Sequence, residues 1–276
     1  MIKDLVVAVA VGSERDVATD YALSVAAAFE AHVTGVAFAY EPTIPGTVLD
    51  GVVVDLVDTS LRESRNAAKT AAARFDKAGQ NAGVSIDSRI VEVNLAGAGE
   101  VFGRIARRFD LSVVAQGEPD RRPAQDLIIE GALFQSGRPV IVVPYIQKSG
   151  LGLERVLLCW DGSRTAARAV GDAMPFLEQA KAVDIVIVAT ERAKSDEITG
   201  AAIAHHLARH GLAVDVKRIV ASDIDVANAI LSHAADSATD FIVMGGYGHS
   251  RLRELILGGA TRGILQSMTV PTLRSH

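Results

Sequence analysis

With 276 residues, 49% of them hydrophobic, the chain can fill a sizeable core as one large domain or two ordinary ones. A net charge of −5 without a long basic run excludes general affinity for nucleic acid, and a single cysteine, Cys159, excludes an internal disulfide. The apolar runs fall well short of the roughly 20 residues a membrane helix needs, and no basic region with a cleavage signal opens the sequence, so a soluble, cytoplasmic protein with no membrane partner is expected.

The first apolar run, "IKDLVVAVAV", has no helical period, and Val17, Tyr21, Val25 and Phe29 then recur at helical spacing, so a strand leads into a helix over 16–30. "HVTGVAFA" is the second strand. It is followed by an alanine-rich helix over 56–81, the strand "VSIDSRIV", a helix near 99–109, the strand "LSVVAQ", a helix near 126–136 and the strand "PVIVVP". Fully apolar strands separated by helix-length connections imply a parallel sheet covered on both faces. The polar and small residues of "YIQKSGLGLE" at 145–154 then break the alternation as a linker.

Beyond the linker the order restarts with "RVLLCW", a helix over 163–179, "VDIVIVA", a helix over 196–210, "VDVKRIV", a helix over 225–237, "DFIVMG", a final helix and "VPTLRS". The halves agree in phase. Ala10-Val11-Gly12-Ser13 aligns with Trp160-Asp161-Gly162-Ser163, and Asp110-Leu111-Ser112 with Asp240-Phe241-Ile242. The reading is a tandem duplication, with one domain over 1–146 and a second over 152–276, each a doubly wound, Rossmann-like α/β domain with a five-stranded, mainly parallel sheet. The first half's surplus length is assigned mainly to a loop in "YEPTIPGTVLDGVVVDLVDTS".

In an open parallel sheet, ligands bind beyond the carboxyl ends of the strands, where chain order reverses. "LLCWDGS" brings Asp161 to one strand tip and "IVMGGYG" brings Gly245 to another. Glycine permits close approach of a ligand to backbone, so Gly245, Gly246 and Gly248 suit a wall against ribose or phosphate. Gly258 and Gly259 precede a helix expected to start near Ala260 or Thr261, whose free amides and dipole favour an anion. Each feature also has a plain use, since a glycine after a strand makes a turn and Asp161 before Gly162-Ser163 starts a helix.

Taken together, Gly245-Gly246-Tyr247-Gly248, nine residues, then Gly258 resemble the nucleotide-binding signature of the universal stress protein family, and "MTVP" is similar to that family's ending. The resemblance covers both halves as a fold, but the motif only in the second. It implies an adenine nucleotide hydrolase-like α/β domain that binds ATP or a related adenine nucleotide, with Mg left open, in a family that also holds non-binders. Carried over by position, Asp161 holds the adenosine end, Ala189 lies along the base, and Met244 and Gly245 flank the ribose. Gly248, Gly258, Gly259, Ala260 and Thr261 surround the phosphates. The resemblance further implies an internal pseudo-dimer of the two halves through "PVIVVP" and "VPTLRS", a homodimer being left open, and a regulatory or protective role in the stress response. Gly259 departs from the family's Ser or Thr, which removes a hydroxyl contact to phosphate. The first half departs further, with Val11 for Asp161, Ala115 and Gln116 for the glycine pair, and Glu118 for Gly248. A carboxylate there repels phosphate, so the first half is expected to be a scaffold empty of nucleotide. The alternatives are a scaffold or interaction protein of the same fold that binds no nucleotide, and a slow nucleotide hydrolase.

The remaining signals are weaker. "GAGEVFG" over 97–103 has dinucleotide-loop spacing but not the rest of that fingerprint, and reads as a loop and helix start. His206 and His210 lie one turn apart beside His205, without the Glu of a zinc-protease motif. His249, Arg251, Arg253 and Arg262 flank the glycines and read mostly as surface groups. Cys159 reads as a buried strand residue rather than a nucleophile. No P-loop lysine or nucleophile elbow is present, so catalysis is expected to be slow or absent, with no metal site.

Overall fold

A computed structural model of the chain describes residues 1–42, 51–118, 122–189, 200–220, 225–246 and 259–276. Its contacts divide the chain into two units, Met1–Arg138 and Pro139–His276.

The first unit runs β1 (Asp4–Val9), α1 (Val17–Phe29), β2 (His32–Glu41), α2 (Gly51–Ala82), β3 (Ile86–Asn94), α3 (Ala98–Ala106), β4 (Leu111–Ala115) and α4 (Arg122–Gln135). Its strands lie in the order β3-β2-β1-β4, all parallel. The central strand carries Leu5, Val6 and Val7, all fully buried, because helices cover both its faces. Connections β1 to β2 to β3 step one way and β3 to β4 steps back, so right-handed crossovers set the first two helices and the last two on opposite faces. Accordingly α1 packs with α2, and α3 with α4. Asp16 caps α1, accepting the Thr19 amide at 3.0 Å, and Glu30 ends it with a left-handed φ of 52°. One expectation is corrected here: the stretch from Gly51 read as loop is the opening of α2, so the surplus length goes largely into helix.

The second unit runs β5 (Val140–Val143), β6 (Arg155–Cys159), α5 (Arg164–Leu177), β7 (Ala182–Ala189), α6 (Ala201–Arg209), β8 (Val214–Val220), α7 (Val226–Asp236), β9 (Phe241–Gly245), α8 (Gly259–Ser267) and β10 (Thr272–Ser275). The order is β5-β10-β9-β6-β7-β8, parallel except that β5 runs antiparallel to β10, with Leu273 opposite Ile141. Among the described residues no helix is long and apolar enough to cross a membrane.

The two units share both strand order and an atomic device. In the first, the Asp110 carboxylate accepts the amides of Lys3 and Asp4 at 2.9 and 3.1 Å, while the Asp110 amide donates to the Asp4 carbonyl at 2.9 Å. In the second, Asp240 accepts the Arg155 amide at 2.9 Å and donates its own to the Arg155 carbonyl at 3.0 Å. Each aspartate fixes where its strand begins against the central one, which sets the register of the pair.

Candidate functional site

Strand order reverses between β1 and β4 in the first unit and between β6 and β9 in the second, which makes two places where a doubly wound sheet opens a crevice. In the second unit, the short connection 160–163 carries Asp161 out from the tip of β6, exposed to solvent. Its carboxylate accepts the Ser163 amide at 2.9 Å, and Ser163 in turn caps α5 by accepting the Ala166 amide at 3.1 Å. Gly162 turns the chain at φ 73°. Asp161 is thus a helix-start residue, as its plain reading expected, and one that still shows its carboxylate to solvent.

On the neighbouring strand, Met244 is buried and Gly245 closes β9. A Cβ on Gly245 would lie 2.6 Å from the Ala166 nitrogen and 2.7 Å from the Thr165 carbonyl carbon, so its missing side chain admits the first turn of α5. Gly246 is buried, donates to the Ser275 carbonyl at 2.7 Å, and its own carbonyl meets the His276 ring Nδ1 at 2.9 Å. Both glycines therefore have structural reasons to be glycine besides any ligand. Ala189 ends β7, and α8 opens at Gly259 and includes Ala260 and Thr261, one or two residues earlier than the sequence placed its start. Gly248 and Gly258 lie outside the described residues, as do His249, Arg251 and Arg253. The strand tips thus bring Asp161, Met244 and Gly245 to one crevice. An exposed carboxylate and side-chain-free backbone therefore stand on neighbouring strands at this reversal.

Sequence reasoning passed over Arg274. It is fully buried on β10 opposite Met244, and its positive charge acts on the Cys159 thiol. "VPTLRS" read only as a closing strand, although an arginine between Leu273 and Ser275 was the available signal. Cys159 keeps some exposure rather than being fully buried. Burial of the thiol nevertheless pushes its pKa up to about 12, with Asp161 adding to the rise and Arg274 opposing it.

The first unit's reversal is built differently. Residues 10–16 make a longer connection between β1 and α1, tied to α2 by Arg74, which donates to the carbonyls of Ser13 and Ala10 and lies 3.6 Å from Asp16. Strand register, with Leu5 opposite Leu111 and Val156 opposite Phe241, puts Ala10 rather than Val11 at the place of Asp161. The carboxylate is missing on either alignment. Gln116, where the second unit has Gly246, is buried, and Glu118 is exposed. Between the strand tips and α4 lies a cavity of 460 Å³ whose walls include Val9, Phe38, Tyr40, Val114, Gln125 and Ile128.

Other sequence signals resolve into packing. Gly99 and Gly103 face α4: a Cβ on Gly99 would sit 2.2 Å from the Leu127 carbonyl oxygen, and one on Gly103 2.4 Å from that of Gly131. The loop-like spacing is a helix seam. The rings of His206 and His210 meet edge to face at 4.9 Å on α6, and among the described residues no cluster of His, Cys, Asp and Glu is set to hold a metal.

Doubly wound α/β units with a reversal at the central strand define a class of fold that binds small ligands at that reversal. Residues 152–275 match the family described as "Universal stress protein family". A universal stress protein of Synechocystis sp. is 27% identical over 142 residues, 49% of this chain and 46% of that protein, so the chain spans about half the length of the curated relative it matches. The structure of a universal stress protein from Archaeoglobus fulgidus DSM 4304 superposes with a TM-score of 0.69 at 16% identity, covering 99% of this chain and 97% of that one. A putative universal stress protein from Pseudomonas aeruginosa UCBPP-PA14 gives 0.61 at 14%, covering 99% and 93%. These two likenesses are of fold.

Proposed function

We propose that the chain is a cytoplasmic tandem universal stress protein whose second domain binds ATP or a related adenine nucleotide at the β6/β9 reversal, in a regulatory or protective role. The observation that carries the reading is the signature Gly245-Gly246-Tyr247-Gly248, nine residues, then Gly258, lying in the half that matches the family. Asp161 accepts hydrogen bonds from the adenosine end, Ala189 and Met244 border the base and ribose, and Gly245 brings bare backbone alongside. The amides that open α8, from Gly259 to Thr261, receive the phosphates, since the start of a helix offers unpaired N–H groups and the positive end of its dipole. The carboxylate and glycine losses at the first reversal leave one nucleotide per chain.

Mass spectrometry of the denatured, purified protein identifies the nucleotide, and titration calorimetry counts it. One site per chain is expected. Gly248→Glu, which imports the first half's residue, should weaken binding about tenfold or more, the equivalent of roughly one lost buried contact. Asp161→Ala should weaken it with less effect on discrimination between ATP and ADP. Two sites per chain, or unchanged affinity in Gly248→Glu, would overturn the reading.

A further inference from the structure

The cavity at the β1/β4 reversal is more than the remnant of a lost nucleotide site. Its 460 Å³ falls within the range of small-molecule pockets, and every described residue lining it is uncharged. Among the described residues those walls offer phosphates no counter-charge, so the chemistry that fits is neutral. Two rings on β2 form part of the wall: Phe38 and Tyr40, with centroids 6.1 Å apart and planes inclined by 31°. They present a surface on which a flat ring packs, offset or edge-on, better than an aliphatic chain does. Burial holds the Tyr40 hydroxyl above its ordinary pKa, which keeps it a neutral phenol. On α4, which forms another part of the wall, the side-chain oxygen Oε1 of Gln125 is buried without a hydrogen-bond partner among the described residues. A buried acceptor in that condition favours any ligand that brings it a donor.

We propose that this cavity binds a neutral aromatic molecule carrying one N–H or O–H donor, with the ring against Phe38 and Tyr40 and the donor on Gln125. The first domain is then a second sensor with its own ligand chemistry rather than a scaffold. The proposal is independent of nucleotide binding in the second domain.

N-phenyl-1-naphthylamine, an uncharged aromatic amine with one N–H that fluoresces in apolar surroundings, tests it on the full chain. Saturable binding of one probe per chain is expected, undisturbed by excess ATP. Ala124→Trp on α4 and Ala10→Trp on the opposite loop fill the cavity from its two sides, and each variant that keeps wild-type circular dichroism should lose at least tenfold in probe affinity. Gln125→Leu keeps the shape but removes the acceptor, and should weaken the probe severalfold. No saturable signal, displacement of the probe by ATP, or unchanged affinity in both folded tryptophan variants would overturn the proposal. Unchanged affinity in Gln125→Leu would overturn the assignment of the donor.

Discussion

The two strand reversals share topology and register anchors yet end in opposite chemistries. At β6/β9 a short connection projects the Asp161 carboxylate into solvent, and Gly245 lets α5 close directly over the strand tip. At β1/β4 the connection is longer, Arg74 pulls it toward α2, and alanine and apolar side chains leave a cavity beneath α4. The lesson is that the sheet fixes where a ligand site falls, while connection length and a few tip residues decide what kind of ligand fits it.

The largest expected effect lies at the seam that holds α4 in place. A Cβ on Gly131 would lie 1.9 Å from the Gly99 carbonyl oxygen, backbone against backbone, so Gly131→Ala must part α3 from α4. A loss of about 3 kcal/mol or more in chemical denaturation is expected, since neither partner is a side chain able to move aside. Gly245→Ala meets the backbone of α5 and should lose about 1–3 kcal/mol. The reciprocal Ala115→Gly in the first unit should lose no more than about 1 kcal/mol, mainly through backbone entropy. Equal losses at the two positions would mean that the reversals are built alike.

Thiol reactivity reports on the tip of β6. With its thiol pushed up to about 12 by burial, Cys159 is protonated at mildly alkaline pH. Iodoacetamide should then modify the native chain on the order of 100-fold more slowly than the unfolded one. A native rate near the unfolded one would show a tip open to solvent.

How far these features were legible depended on whether their cause was local. The strands were, because runs such as Leu5-Val6-Val7 and Ile185-Val186-Ile187 are buried on both faces and carry their burial in composition. The opening of α2 was not, because Val52, Val53 and Val54 are β-branched and favour extended chain when read alone. The glycines of α3 were misleading in kind: their spacing looks like a ligand loop, and only the facing helix shows otherwise. At the candidate site, Asp161 and Gly245 were found from strand ends, but the one-residue shift that places Ala10 opposite Asp161 comes from hydrogen-bond register, which no short match of Gly-Ser pairs contains. The first-unit cavity was invisible because it results from the space between elements.

The smallest expected effect concerns the wall helix α4. Burial, and then the neighbouring charge of Asp126, hold the Glu130 carboxyl above its usual range. A carboxyl raised in the folded state favours folding where it is protonated and loses that advantage as pH rises through the folded value. Glu130→Gln should therefore raise the melting temperature slightly at neutral pH, with the gain fading as pH falls below the ordinary carboxylate range. A gain that grew on acidification would contradict this sign.

The seam of Gly99, Gly103 and Gly131 has an evolutionary consequence. At each of these positions even one methyl group is barred by backbone, so natural variation should be purged there as stringently as at a ligand contact. Glycines in this fold then persist for two unrelated reasons, and a pattern of invariant glycines among relatives would overcount binding sites. Stability separates the two classes: a substitution in the seam should lower the melting temperature with or without ligand, whereas one at a pure ligand contact should lower affinity and leave the ligand-free melting temperature unchanged.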